Sequence, residues 1–490
     1  MEIFLPAVVG ELATRSMSFF IKNYCKRPEQ SPVVNLERIL LRAQVIVDEA
    51  AGRCITNQGM LQQLSMLRDT MYGGFYVLDA FRYRAIGANE DEDRQIMSKP
   101  WALSKFSYAK RLFLSSSSTK TSQELEVEQV LDSLRTMILD VSESVMFLAT
   151  YPRLLRQPYS MHILLEKCMF GRQMEMELVV NFLLHTQPCS GTSLGRFEVL
   201  PIVGPGRSGK STLVAHACND ERVRDHFSQI VFFEDGNFGH EGTAILRDES
   251  TSRHDKNGRL LIVFEVVREL NEDLWEWMCS LSTRFTTTGN KIIITSRSDK
   301  IRKFGTAQAM TLKPLSHEAY WYFFKVITFG STNPEMHPKF LHLAMEIARM
   351  QSRSLVAANV TARVLKDNFN INYWCNVLEF MKRSVAKLHS MYGEHPCALV
   401  NKDKPTYVGI LDGEYLFVSN TRSSKDEVPD IKIQDVVYGG VKPHGRFKIL
   451  AWKSQILPYH CYIYTCEIRE PQTRVVKRKR SVNNKFVSCG

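Results

Sequence analysis

The stretch Gly204-Pro205-Gly206-Arg207-Ser208-Gly209-Lys210-Ser211, continued by Thr212-Leu213-Val214-Ala215, decides how this chain is read. It fits GxxxxGK[ST] without a mismatch, and chance would supply such a match in a chain of this length roughly once in a hundred. An apolar run at 197–203 leads in and a helical pattern leads out. In that context glycines let backbone N–H groups converge on phosphate oxygens. Lys210 then reaches the β/γ phosphates and the Ser211 hydroxyl ligates Mg²⁺, while Gly204, Gly206, Arg207, Ser208, Gly209 and Thr212 form the cradle. The bland reading is a glycine-rich strand–helix turn without a ligand. Pro201 counts against a central position for the preceding strand, because proline cannot donate a ladder hydrogen bond.

A phosphate-loop NTPase places an acid at the end of a neighbouring strand to hold the Mg²⁺ shell. Leu260-Leu261-Ile262-Val263-Phe264-Glu265 has that form, so Glu265 joins Ser211 as a candidate metal ligand. The next residue is Val266, where hydrolytic relatives carry a second, water-orienting acid. Valine cannot activate water, so hydrolysis is expected to be weak or absent. No catalytic triad, Cys–His pair or paired carboxylates stand out elsewhere in the sequence.

Outward from the loop, short β-branched runs at 230–233, 260–264 and 291–295 alternate with helical stretches. This alternation predicts an α/β domain over 165–332, a parallel sheet with helices on both faces. Residues 1–150 read instead as a four-helix bundle. Leu36, Ile39, Leu40, Ala43, Ile46, Val47 and Ala50 recur at helical spacing. So do Leu61, Leu64, Leu67, Met71, Phe75 and Leu78, although Gly73-Gly74 should weaken or bend that helix. A fourth helix begins near Thr121, with Glu124 three residues on, and runs through Val145. Before it, the polar residues 89–94 and the serine run 115–118 read as a loop.

The stretch 335–368 is helical again, within a small helical subdomain at 333–390, although beyond Asn370 the texture turns toward β. Residues 400–490 form a β-rich tail. Within it, 407–411, Asp412-Gly413 and 414–418 read as a hairpin with a two-residue turn. Runs at 447–452 and 460–468 supply further strands, in which Cys461 and Cys466 are half-buried hydrophobes rather than metal ligands.

Composition bounds the rest. The 490 residues are 44% hydrophobic and 23% charged, which excludes collagen-like and wholly disordered classes and suggests about three domains. Residues 371–490 hold 19 basic and 11 acidic side chains, +8 of the net +11. The rest of the chain is near neutral, so nucleic acid is not an expected partner. The 11 cysteines form no CxxC pair and no apolar run reaches spanning length. A chain in a reducing compartment without a membrane segment is expected, cytoplasmic or nuclear. The basic run at 474–480 reads either as a nuclear-import patch or as a solvated tail.

The order of these motifs resembles plant disease-resistance proteins of the NB-ARC class, within the STAND group of signalling NTPases. Phe170-Gly171-Arg172 is similar to the family's segment near the adenine. Gly289-Asn290-Lys291-Ile292-Ile293-Ile294-Thr295-Ser296-Arg297 is similar to its sensor strand. Leu312-Lys313-Pro314-Leu315-Ser316, followed by Glu318, Trp321 and Phe324, resembles its next block. The amino-terminal bundle resembles the family's Rx-type coiled-coil domain. Phe447-Lys448-Ile449-Leu450-Ala451-Trp452-Lys453-Ser454 resembles the tail of short grass members without leucine-rich repeats.

The resemblance implies an ADP/ATP-binding immune signalling protein, with Gly171 and Arg172 near the nucleotide and Arg297 reading the γ-phosphate. It also implies partners taken through the bundle: a second copy, other resistance proteins or pathogen effectors. The sequence departs from the family at several motifs. The acidic motif stands as Phe75-Tyr76-Val77-Leu78-Asp79, the Gly-Leu-Pro-Leu motif as Arg353-Ser354-Leu355-Val356, and no Met-His-Asp motif is present. These departures keep a second expectation open, a nucleotide-independent adaptor or decoy that pairs with full-length receptors.

Overall fold

The computed structural model describes residues 31–87, 122–153, 170–185, 197–234, 258–266, 276, 289–424, 427–454, 456 and 461–471. The expected loop at 89–94 and 115–118, the basic run at 474–480 and any bundle helix before residue 31 lie outside them.

Helices α1 (Pro32–Ala51), α2 (Gln58–Gly87), α3 (Ser122–Asp140) and α4 (Ser142–Leu148) pack together. The apolar stripe read from the sequence is what they bury: Leu36, Leu40 and Ala43 of α1 meet Leu67 of α2 and Leu134 of α3 in one core. Each of these leucines contributes about 1.5–3 kcal/mol by leaving water. The glycine pair does not interrupt α2, which runs unbroken for 30 residues. Gly74 is a point of close approach: a Cβ there would stand 2.6 Å from Leu40 Cδ2 and 3.0 Å from Leu134 Cδ1. The last expected helix is divided at Val141, where the Ser142 hydroxyl donates to the Leu139 carbonyl at 2.6 Å. Such back-bonding by serine competes with the helical ladder.

Next come α5 (Gln173–Leu184), β1 (Phe197–Val203), α6 (Lys210–Cys218), α7 (Glu221–His226), β2 (Gln229–Glu234), β3 (Leu260–Val266), β4 (Asn290–Ser296) and β5 (Met310–Thr311). The strands form one parallel sheet in the order β2-β3-β4-β1-β5. Every residue of β1 and β4 is buried, as expected of parallel strands covered on both faces. Leu261, Val263 and Ile293 pack with α5 and α6 on one face, while Ile262, Phe264 and Ile292 face the other.

The objection raised by Pro201 is met by geometry. Val199 turns both backbone groups toward the β5 side: its carbonyl accepts from Thr306 and Ala307 N–H at 3.0 and 3.1 Å. Its own N–H donates to Thr306 Oγ1 at 2.7 Å. Pro201, two residues on, faces the same side, and β5 pairs only with Ile202 and Val203. The missing donor therefore falls where the ladder has not begun.

Helices α8 (His317–Phe329), α9 (Pro338–Met350), α10 (Leu355–Asp367) and α11 (Ile371–Tyr392) form the helical annexe. The texture beyond Asn370 read as turning toward β, yet Asn370 caps a 22-residue helix, most of it within the expected helical subdomain, whose Trp374, Val377, Leu378 and Leu388 are buried at helical spacing. The annexe holds the bundle through α2. Asp79, only 3% exposed, accepts from Trp321 Nε1 at 2.8 Å and Lys325 Nζ at 2.6 Å.

After the short α12 (Pro396–Asn401), strands β6 (Thr406–Gly409), β7 (Tyr415–Ser424), β8 (Arg446–Lys453) and β9 (Cys461–Ile468) form an antiparallel sheet, ordered β6-β7-β9-β8. Helix α13 (Ile433–Val437) packs on it through Val436 and Val437. The expected two-residue turn is a three-residue one. Ile410 and Glu414 pair at 2.8 Å across Leu411-Asp412-Gly413, with Gly413 at φ +102°. A left-handed third residue is what a three-residue hairpin loop requires. Cys461 and Cys466 are fully buried in β9, and burial pushes the Cys466 thiol up to about 12.

Candidate functional site

The loop after β1 sits at the carboxyl end of the parallel sheet, the edge at which open α/β folds bind ligands. Its path depends on its glycines. Gly204 N–H bonds the Ser296 carbonyl at the end of β4, and a Cβ on Gly204 would stand 2.4 Å from the Leu312 carbonyl. Gly209 adopts φ +91° as it turns into α6. On the outer side, a Cβ on Gly206 would stand 2.2 Å from the Asn401 carbonyl and 2.9 Å from Arg297 Nε.

Lys210 is the first residue of α6, and its buried ammonium folds back on the loop, donating to the carbonyls of Gly204 at 2.9 Å and Pro205 at 2.8 Å. Burial first, then repulsion from Arg297, lowers its pKa to about 8, against the pull of Glu265. Ser211 Oγ donates to Glu265 Oε1 at 2.5 Å, joining the head of α6 to the end of β3. Thr212 follows in the first turn of α6, whose leading N–H groups have no partners within the helix. Val266 turns to the opposite face of the sheet from α6 and is buried in its core.

Arg207 and Arg297 meet above this loop on a residue the sequence did not single out. Asp403 binds Arg207 Nη2 through Oδ1 at 3.2 Å and Arg297 Nη1 through Oδ2 at 2.5 Å. Arg207 also donates to the Val400 carbonyl, and its guanidinium lies 5.7 and 5.5 Å from the Tyr462 and Tyr464 ring centres of β9. Asp403 follows Asn401-Lys402 and precedes Lys404-Pro405, a local pattern that marks a charged turn and nothing more.

Gly171 and Arg172 do not join the cluster. Arg172 pairs with Glu175 at 2.8 Å and donates to the Lys313 carbonyl. Both residues line a cleft of about 1550 Å³ between α2, α5 and the start of α8, and none of residues 204–212 borders it. Phe170 instead stacks on Tyr72 of the bundle at 5.3 Å and on Tyr322 of α8 at 6.1 Å. Near the Gly-Leu-Pro-Leu position, Ser354 caps α10 through Ala357 N–H, and Arg353, at φ +59°, donates to the Leu315 carbonyl at 3.2 Å.

The residues gathered at the loop fit a phosphate ligand and its metal. Ser208 Oγ is buried without a hydrogen-bond partner, in the loop onto which the Lys210 ammonium folds. Ser211 and Glu265 bring a hydroxyl and a carboxylate oxygen together, the hard-oxygen donors that Mg²⁺ takes.

No family model matches the chain. Its distant homologues are plant disease-resistance proteins. Disease resistance protein RGA2 of Solanum bulbocastanum is 28% identical over 224 residues, 41% of this chain and 22% of that protein. Putative disease resistance RPP13-like protein 1 of Arabidopsis thaliana is 23% identical over 402 residues, 77% of this chain and 37% of that protein. The chain thus spans well under half the length of these curated relatives. Among solved structures, the Drosophila ORC bound to DNA aligns with 46% of this chain at 12% identity and a TM-score of 0.31, a likeness too faint to bear on function.

Proposed function

We propose that this chain is a nucleotide-binding signalling protein of plant immunity, taking ADP or ATP with Mg²⁺ on the loop at 204–212. The observation that carries the reading is the 2.5 Å bond between Ser211 and Glu265, set beside a glycine loop with a buried, unpartnered Ser208 hydroxyl. A nucleotide bound here would supply phosphate anions, and Ser211 and Glu265 would hold its Mg²⁺, which would offset their charge. Lys210 is the cation of the site, and Gly204, Gly206 and Gly209 let the loop fold closely enough for its N–H groups to converge on an anion. With Val266 in place of a water-orienting acid, turnover is weak and the output is a change of domain contacts.

The disease-resistance relatives support the immune role. Leu41 and Val45 of α1, exposed on the bundle, support protein partners: a second copy, another resistance protein or a pathogen effector. We place the protein in the cytoplasm, with nuclear entry resting on the basic run at 474–480. Titration of the full chain with ADP and ATP in Mg²⁺ is expected to give saturable binding that Lys210→Ala abolishes. Equal binding by both proteins, or by neither, overturns this reading. The second reading, an adaptor that needs no nucleotide, then stands; the internal partners of Lys210, Arg207 and Arg297 favour it.

A further inference from the structure

The cleft of about 1550 Å³ between α2, α5 and the start of α8 is larger than the roughly 300–1,000 Å³ of a small-molecule site. Two of its charged side chains each keep a polar atom unspent. Arg68 of α2, 9% exposed, donates through Nη2 to Ser65 Oγ at 2.9 Å, and the same nitrogen lies 3.5 Å from Asp69. Its buried Nε has no hydrogen-bond partner. On α5, Glu175 takes Arg172 Nη1 on Oε1 at 2.8 Å, while its buried Oε2 has no partner either. Both act on the Asp69 carboxyl: burial raises its pKa, Arg68 opposes the rise and Glu175 adds to it. The three charges therefore share one part of the cleft.

Buried polar atoms are nearly always paired, so two left over in one place call for a partner. A free donor on a guanidinium and a free acceptor on a carboxylate are completed by an anionic acceptor and a cationic donor. The rest of the lining carries both signs as well. Arg172, Arg353 and Lys313 border the cleft, and so do Asp69 and Glu318. A polyanion is repelled by the acids and a simple cation by the arginines, whereas a ligand of both signs finds its complement. Leu178, Phe182 and Leu315 supply apolar wall for its body. We propose that the cleft binds a short peptide with free ends, its carboxylate on Arg68 and its ammonium on Glu175. None of residues 204–212 borders the cleft, so the site is independent of the nucleotide reading.

Calorimetric titration of the full chain with trileucine tests this, beside N-acetyl-trileucine, trileucine amide and the doubly blocked peptide. Trileucine is expected to bind saturably. Each single block should weaken it roughly tenfold and the double block roughly a hundredfold. Arg68→Met keeps the stem and removes the donors; it is expected to weaken trileucine and N-acetyl-trileucine and leave trileucine amide unchanged. Glu175→Gln keeps the volume and removes the charge; it is expected to weaken trileucine and trileucine amide and leave N-acetyl-trileucine unchanged. Gly73 borders the cleft with nothing within 4 Å of a Cβ, so Gly73→Leu fills space there without a clash. It is expected to weaken every form. Absence of a preference for free ends in the parent chain overturns the peptide site, as do equal losses across all forms in Arg68→Met and Glu175→Gln. Displacement of trileucine by ADP overturns it too, because the cleft then belongs to the nucleotide. So does free leucine binding as tightly as trileucine, since a single amino acid then suffices.

Discussion

Asp79 of the helical bundle and Lys325 of the annexe form a 2.6 Å ion pair in which neither side chain is more than 12% exposed. Trp321 Nε1 donates to the same carboxylate oxygen. The cation also lies 5.1 and 5.6 Å from the Phe75 and Tyr322 ring centres. One acid of α2 thus satisfies two donors of α8, and Arg82 adds an outer link by bridging Glu37 and Glu335 at 2.7 Å each.

Removing that acid leaves a buried ammonium and a buried indole N–H without their partner. Asp79→Ala is expected to destabilise the protein by on the order of 3 kcal/mol, read as a lower midpoint in urea unfolding. Lys325→Met added to it is expected to restore part of the loss. An unchanged midpoint in the single variant would show that the pair does not hold the bundle to the annexe.

The two adjacent glycines of α2 are expected to respond with opposite signs. Nothing lies within 4 Å of a Cβ at Gly73, so Gly73→Ala should gain about 0.5–1 kcal/mol from helix propensity. At Gly74 the methyl meets Leu40 and Leu134 inside a closed core, and overpacking should cost about 1–3 kcal/mol. Thermal unfolding of the two variants distinguishes them; a shift of the same sign in both would refute the close approach of α1 and α3 at that point.

Nucleotide affinity should fall as pH rises past about 8. Burial, chiefly, lowers the Lys210 pKa to about 8, and an adjoining phosphate anion favours the charged form. The bound state therefore holds the proton to higher pH than the free state. Below pH 7 both states are protonated and affinity is flat; above 8 binding takes up a proton and weakens. Dissociation constants measured from pH 6.5 to 9.5 check this, and a flat profile throughout would remove Lys210 from the phosphate contact.

Glu265→Gln retains an acceptor for Ser211 but loses the charge. Mg²⁺-dependent nucleotide binding is expected to drop by roughly tenfold, while binding in excess chelator stays the same. Equal affinity for Mg²⁺–nucleotide in parent and variant would show that β3 does not supply the metal's acid.

The parallel sheet and its loop were legible because their signals are local. A glycine's freedom, a run of β-branched residues and an acid at a strand end each act within a few positions of where they are written. Asp403 was not legible, since its meaning comes from Arg207 and Arg297, respectively 196 and 106 residues away, and nothing around it in sequence points there. Helix α11 lies almost wholly within the helical subdomain expected at 333–390, yet its texture read as turning toward β beyond Asn370, because β-branched and aromatic residues obscure the helical period of Trp374, Val377, Leu378 and Leu388. Gly73-Gly74 misled for a different reason. Intrinsic propensity weighs against glycine in a helix, but a neighbouring helix can make the absence of a side chain the favourable choice. The placement of Gly171 and Arg172 in a cleft apart from the phosphate loop was likewise beyond sequence reach, as it depends on how α2 packs against α5.

Pro201 has a bearing on how this molecule can associate. On the β5 side of β1, the groups that might template another chain are already spent: Val199 on Thr306 and Ala307, Val203 on Leu312, and position 201 has no hydrogen to offer. The outermost strand beyond it is two residues long. A foreign strand arriving at this margin finds no continuous ladder to extend, so the parallel sheet is guarded there against fibril-like growth. Any contact made at this margin has to be built from side chains rather than from main-chain pairing.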